Sequence, residues 1–532
     1  MRTKFGVLSV VAVLASLLVA GTCAAEGKGQ PDLDKAIQTK ISAQTLVELG
    51  TVIELCQSAL EQGLDKGNED FCKQLLGSTL LQRAEAICER LFDHRGGLGQ
   101  QEVGIFWRLA LKDVEEAIEI DAEQPIAQLL LGKLQSVPGA DRKKARRALD
   151  KAIELAKDDS DVKPQALRWR AGLTADFDAR LKDYNEAAKL APENADILRE
   201  RGAAYLAANR PDDALADFDA ALKIDADDAA TYEARGMTLA VLQRFEEARA
   251  AFSRAAELEP RSPAPLLQRA RINAMMNDFD AAVEDASRAL ELDPENVDGM
   301  TLKAQALALA GKADDALAEA ERAVQMKPES DDVLRVLAMV IEKAGKTAHT
   351  IEGLRKQVEA NPDDAISWLE LGLLYAAEKE TPKAIDAFSA AIKIEPGREF
   401  AYHVRADTYL SRGMRKQAIG DYQRALELDE NNSGVLNNLA WLLATAPEKE
   451  LRDAEQALKL ATQAAEITGY KQAHILSTLA SAYAEMGDFK KAREWSQKSI
   501  DIADDSLKDQ LRKELASYQN KQPWRERQEE DK

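Results

Sequence analysis

Aromatic residues make up only 5% of this 532-residue chain, and histidine and cysteine occur four times each. Few aromatics beside abundant alanine favour closely packed helices over sheets, so an all-α protein is expected. None of His94, His349, His403 and His474 sits in a paired metal-ligand spacing or a nucleophile motif, so neither catalysis, a metal nor a cofactor is expected. The glycines of RGGLGQ, residues 95–100, lack the spacing and preceding strand of a phosphate loop and read as a flexible connection. Basic residues are also in deficit: 71 Lys and Arg against 92 Asp and Glu give a net charge of −21. That charge argues against nucleic acid or anionic lipid as a partner through bulk electrostatics, and it suits a long chain kept soluble by an acidic exterior.

Long hydrophobic runs are missing except at the start. Arg2 and Lys4 precede FGVLSVVAVLASLLVAGTCAA, which closes in small residues before Glu26. This order matches a secretory signal, with cleavage expected near Ala25 and a periplasmic or secreted mature chain without a membrane span. An uncleaved anchor is the alternative, although the last third of the run is weakly apolar for a bilayer core. Lipid attachment at Cys23 fits less well, because Ala20 stands where a leucine is wanted. Export leaves Cys56, Cys72 and Cys88 in a compartment that permits disulfides. If residues 34–62 and 69–93 form a helical hairpin, Cys56 and Cys72 lie at similar heights and a bridge between them is open. Cys88 is about 24 Å along the helix from Cys72 and is out of reach. Three buried thiols acting as small hydrophobes are the alternative.

What is abundant is repetition. Pro192, Ala226, Pro260, Pro294, Pro328, Pro362 and Pro396 follow one another at 34-residue intervals. From Asp161, eight units run without insertion to Asn432, and a period of this length marks a solenoid. In the stretch WLELGLLYAAEKETPKAIDAFSAAIKIEP the recurring positions are Trp368, Leu371, Gly372, Tyr375, Ala384, Phe388, Ala391 and Pro396. Small residues belong where two helix axes cross closely, so Gly202, Gly236 and Gly372 on first helices should face Ala214, Ala248 and Ala384 on second helices. Large residues such as Tyr375, Phe218, Phe252 and Phe388 fill the space beside them, and the proline ends the second helix.

On these residues the chain resembles the tetratricopeptide repeat family. The resemblance implies an α-solenoid of helix-turn-helix units forming a right-handed superhelix, with first helices lining a concave surface that binds extended or helical peptides. The domain plan reads as a signal peptide (1–25), a helical region (26–122), a degenerate unit (123–160), eight units (161–432), two further units (433–503), a capping helix (504–519) and a charged tail (520–532). The tail is expected to lack fixed structure beyond Trp524. The pattern decays at residues 331–364, where Thr350, Leu354 and Gln357 replace alanine, a large residue and alanine, and looser packing is expected there. The ninth unit carries the longer turn TAPEKELRDAEQ.

Arginine takes a normally apolar position at Arg201, Arg235, Arg269 and Arg405. Three of the four have an aspartate sixteen residues later, Asp217, Asp285 and Asp421. Because the aspartate tracks the arginine, ion pairs within repeats are favoured over a ladder for an anionic ligand. Carrying the family's concave positions onto this chain gives partner-binding candidates Arg199, Met237, Leu267, Arg271, Arg335, Leu369, His403, Asn437 and Trp441. Trp441 is the sharpest of them, its alternative being to pack under the turn at 444–452. The family's lysine and asparagine set for a terminal carboxylate is absent. The expected function is a non-catalytic scaffold that binds protein or peptide in envelope assembly. The alternative is a regulatory or recruiting arm of an enzyme complex, with any special activity in residues 26–122.

Overall fold

The computed structural model describes residues 27–92, 100–157 and 159–526. The expected signal segment, most of the RGGLGQ connection and the last six residues lie outside the described residues. The described residues form 27 α-helices and one short 3-10 helix, and no strand occurs among them, so the chain is an all-α solenoid. No helix among them is long and apolar enough to cross a membrane. Two compact bodies divide within the third repeat, one ending at Leu242 and the other beginning at Gln243.

The first body opens with Gln30–Ser42, Leu46–Gln62, Lys66–Phe92 and Gln100–Ile120. Residues 34–62, expected as one helix, are two. Ala43 turns extended, and Thr45 starts a new helix with a capping box in which its hydroxyl meets the Glu48 amide and the Glu48 carboxylate meets the Thr45 amide. That reciprocal pairing satisfies two orphan donors, which makes the break a stable stop. Cys56 and Cys72 still come together, as thiols, with Cys72 Sγ donating to the Cys56 carbonyl at 3.4 Å. Cys88 is buried in the same core, where burial pushes its thiol up to about 12.

From Pro125–Gln135 and Arg142–Ala156 onward the helices come in pairs, and sixteen of them run from Val162–Leu173 to Arg415–Leu428. The crossing rule holds at atomic scale. A Cβ on Gly202 would stand 2.8 Å from the Phe218 ring, and one on Gly372 would stand 2.4 Å from the Phe388 ring. Both phenylalanines are fully buried. The turn inside repeats 2 to 8 has a rule of its own. Asn209, Gln243, Asn277, Gly311, Gly345, Lys379 and Gly413 recur every 34 residues, and each has a φ between 57° and 77°. This left-handed residue reverses the chain between the two helices, and glycine or asparagine adopts it at least cost.

In the second body, repeat 6 departs from the pattern. Its first helix, Asp331–Lys343, barely touches its second, Thr347–Ala360, which buries only Thr347, Leu354 and Val358. Repeat 9 pairs Ser433–Thr445 with Ala454–Ile467 across a turn holding the 3-10 helix Lys449–Leu451, repeat 10 pairs Ala473–Glu485 with Phe489–Ile502, and Asp505–Gln519 closes the stack. The tail corrects the expectation of a loose end past Trp524. Arg525 pairs with Glu485 at 2.6 Å, the Glu526 amide donates to the Thr445 carbonyl at 3.0 Å, and the Glu526 carboxylate reaches Arg415 at 3.3 Å. Each charge meets a partly buried opposite charge, which fixes the segment as far as Glu526.

Candidate functional site

The arginine series is structural. Arg201, Arg269 and Arg405 each grip the aspartate sixteen residues on through two nitrogens, Arg405 with Asp421 at 2.6 and 2.8 Å. The third nitrogen reaches back sixteen residues, to Asn185, Ser253 and Ser389 at 2.9 Å, so one guanidinium joins three helices of two adjacent repeats. Arg235 lacks the forward aspartate and uses only the backward partner, Asp219, at 2.6 Å. Lys303 with Glu319 at 2.9 Å is the same device in other residues. The backward arm was legible in the sequence, since Asn185, Asp219, Ser253 and Ser389 share one position of the 34-residue period. The planar fork suits arginine to this joint, because its rigid N–H groups meet two carboxylate oxygens side by side while the third nitrogen points to the helix behind.

The nine candidates differ in what surrounds them. Leu369 at 0% exposure and Leu267 at 8% belong to the hydrophobic core and present nothing to a ligand, which corrects their assignment. A leucine at that position is drawn inward because the neighbouring repeat covers it. In the first body Arg199 is engaged with Asp196 at 2.9 Å and Asp228 at 3.4 Å, while Met237 is 44% exposed. Arg271 is exposed, with Gln268 its neighbour at 3.4 Å.

Arg335, His403, Asn437 and Trp441 lie along one continuous stretch of the second body. The Arg335 guanidinium stacks 4.7 Å from the Phe400 ring. One turn beyond Phe400, His403 is buried, its Nδ1 has no hydrogen-bond partner, and the Glu399 carboxylate stands 3.8 Å away. Burial lowers the His403 pKa, which keeps the ring neutral, and burial with Asp331 and Asp429 nearby raises Glu399 to about 7. A polar relay continues along the helices: Tyr422 Oη donates to Asp407 at 2.5 Å, Asn438 Nδ2 to Asp407 at 3.2 Å, and Asn437 Nδ2 to Asn438 at 3.3 Å.

The relay ends at a cavity of about 260 Å³ between the first helices of repeats 9 and 10 and the closing helix. Asn437, Trp441, His474, Leu511 and Glu514 are among its walls. Trp441 lines this cavity and so does not serve only as packing beneath the long turn. Glu514 and His474 were not singled out by sequence reasoning; each sits on a helix whose register depends on the inserted turn of repeat 9.

Models of the tetratricopeptide repeat match residues 174–229, 204–265, 267–331 and 348–399, and another of the same description matches residues 397–511. Together they cover more than half of the chain. This is a tetratricopeptide repeat protein. The gap at residues 332–347 falls on the first helix of repeat 6, whose partner helix has lost the small-residue positions. Among solved structures, this tetratricopeptide repeat chain is similar to YrrB, described as a TPR protein with an unusual peptide-binding site; the two are 22% identical over 35% of this chain and 97% of that one, with a TM-score of 0.20. A tetratricopeptide repeat protein from Parabacteroides merdae is 14% identical over 46% of this chain and 97% of that one, with a TM-score of 0.31. MamA is 24% identical over 32% of this chain and 94% of that one, with a TM-score of 0.20. No curated protein matches the chain.

Proposed function

We propose that this tetratricopeptide repeat protein is a non-catalytic scaffold that binds a peptide segment of a partner along the first-helix face of repeats 6 to 10. The observation that carries this reading is the cavity beside Trp441, where an aromatic wall meets the Asn437 Oδ1, a buried acceptor with no donor. A buried unpaired acceptor costs about 1–3 kcal/mol, and a ligand that supplies the missing donor recovers it. Aromatic anchors in such pockets concentrate binding energy, whereas exposed charges on the outer face contribute little.

The test selects peptides from a displayed random library on the whole protein and measures their affinity by calorimetry. Trp441→Ala combined with Arg335→Ala should weaken them ten-fold or more, roughly 1.4 kcal/mol, with the helical circular dichroism unchanged. Unchanged affinity in the folded double variant would place the site elsewhere. The reading extends to the partner's location: the apolar run at residues 5–25 is taken as an export signal, so the partner belongs to the envelope or the exterior. Amino-terminal sequencing of protein from the native cell should then begin near Glu26, and a retained Met1 in the soluble fraction would refute export.

A further inference from the structure

The cavity at the end of the repeat array carries more chemistry than an aromatic wall. Glu514 is 1% exposed, and its carboxylate accepts from the Ser477 hydroxyl and from Gln510 Nε2, neither of which is charged. Burial raises the pKa of this acid. Beside it, Asn437 Oδ1 is buried and without a donor. The relay through Asn438 and Asp407 occupies Asn437 Nδ2 and so keeps the oxygen turned away from it. His474 adds no positive charge, because burial lowers its pKa. Two acceptors without a cation thus meet the apolar surface of Trp441 and Leu511.

We propose that this cavity is a subsite for a basic side chain, a lysine or arginine of the bound peptide, whose aliphatic stem lies on Trp441 and whose cationic nitrogen donates to Glu514 and Asn437 Oδ1. This deepens the groove reading and rests on it. A cation entering here restores the charge balance of a buried acid, satisfies the open acceptor and gains from the electron-rich ring face. An anionic side chain would set a second negative charge beside a buried carboxylate, and a neutral apolar chain would leave Asn437 Oδ1 unpaired.

The experiment needs no identified partner. The whole protein is titrated with n-butylamine and n-propylguanidine as probes of the two side chains, and with 1-butanol and butyrate as controls. The indole N–H resonance of Trp441, assigned by its loss in Trp441→Phe, reports occupancy. Saturable shifts with one or both cations, at least ten-fold weaker in Glu514→Gln, are expected, and the cation that binds tighter identifies the residue. Asn437→Leu, which removes the open acceptor and leaves Glu514 intact, should weaken the same cation about three-fold or more and serves if Glu514→Gln does not fold. Equal shifts with 1-butanol or butyrate would overturn the subsite, as would cation binding that survives both substitutions. Library peptides indifferent to Trp441→Ala with Arg335→Ala, found while butylamine still binds, would instead remove the groove reading. Failure of the two is therefore distinguishable.

Discussion

Repeats 6 and 7 are neighbours of equal length, yet only one is a closed hairpin. In repeat 7, Gly372 lets the Phe388 ring lie against its own backbone, and Ala384, Ala387, Phe388 and Ala391 are all buried. In repeat 6 the corresponding second helix offers Thr350, Gly353, Leu354 and Gln357, and the hairpin opens. Its first helix finds other partners further along: Arg335 stacks on Phe400 of repeat 8, and Arg398 at the end of repeat 7 meets Asp331 at 2.8 Å. The difference shows that the 34-residue period sets where helices lie, while a handful of small and large side chains decide whether a pair closes.

The largest expected effect comes from forcing repeat 7 to resemble its neighbour. Gly372→Leu drives a side chain into the Phe388 ring and should cost about 3 kcal/mol or more, read as a lowered melting temperature. Unchanged melting would break the comparison, because the crossing would then not depend on a small residue.

A second measurement sharpens the contact that spans repeat 6 and repeat 8. Glu399 faces Asp331 and Arg335 from one helix, His403 from its own, and Asp429 and Asn432 from the next turn. Its pKa is raised from 4.5 to about 7, so the folded state holds the proton more tightly and stability falls as pH rises through that window. Discounted for solvent screening, the loss is on the order of 1–2 kcal/mol. Glu399→Gln cannot ionise and should flatten the difference between denaturation midpoints at pH 5 and pH 7.5. A slope that persists would assign it to other groups, such as the buried Glu370.

The joint between regular repeats gives a smaller effect. A double-mutant cycle of Arg405→Ala and Asp421→Ala should show coupling of at least roughly 0.5 kcal/mol in denaturant unfolding. Ser389→Ala should weaken the hold of repeat 7 on repeat 8 by about 0.5–1.5 kcal/mol. Additive effects would mean the fork contributes no net stability.

The smallest change runs in the opposite direction. Gly353 lies inside the second helix of repeat 6 with no atom within 4 Å of where a Cβ would stand. Gly353→Ala should stabilise that helix by roughly 0.5–1 kcal/mol, seen as slower amide exchange over residues 347–360. A destabilised variant would show that the open face is occupied.

The repeat boundaries, the small-against-large crossings and the forward arm of the arginine pairs were all legible in the sequence, because each depends on residues at fixed spacing within one hairpin. The break at Ala43 was hidden by a continuous apolar pattern, although Thr45 and Glu48 carry its capping signal. Leu267 and Leu369 show the limit of position counting: a register places a residue on a face, and the neighbouring repeat decides whether that face is covered. The tail was legible only as a charged segment, since Glu526 meets Arg415 from a distance of 111 residues.

The sequence by itself determined an all-α chain of stacked tetratricopeptide hairpins, because helix periodicity and crossing residues act over tens of residues. The loosening of repeat 6 was legible in Thr350, Leu354 and Gln357, whereas tertiary structure alone decided that Arg335 reaches Phe400 and that Trp441, Asn437 and Glu514 share one cavity. Those contacts join residues from separate helices far apart in the chain, and their meeting depends on how the helices pack rather than on spacing within any one repeat.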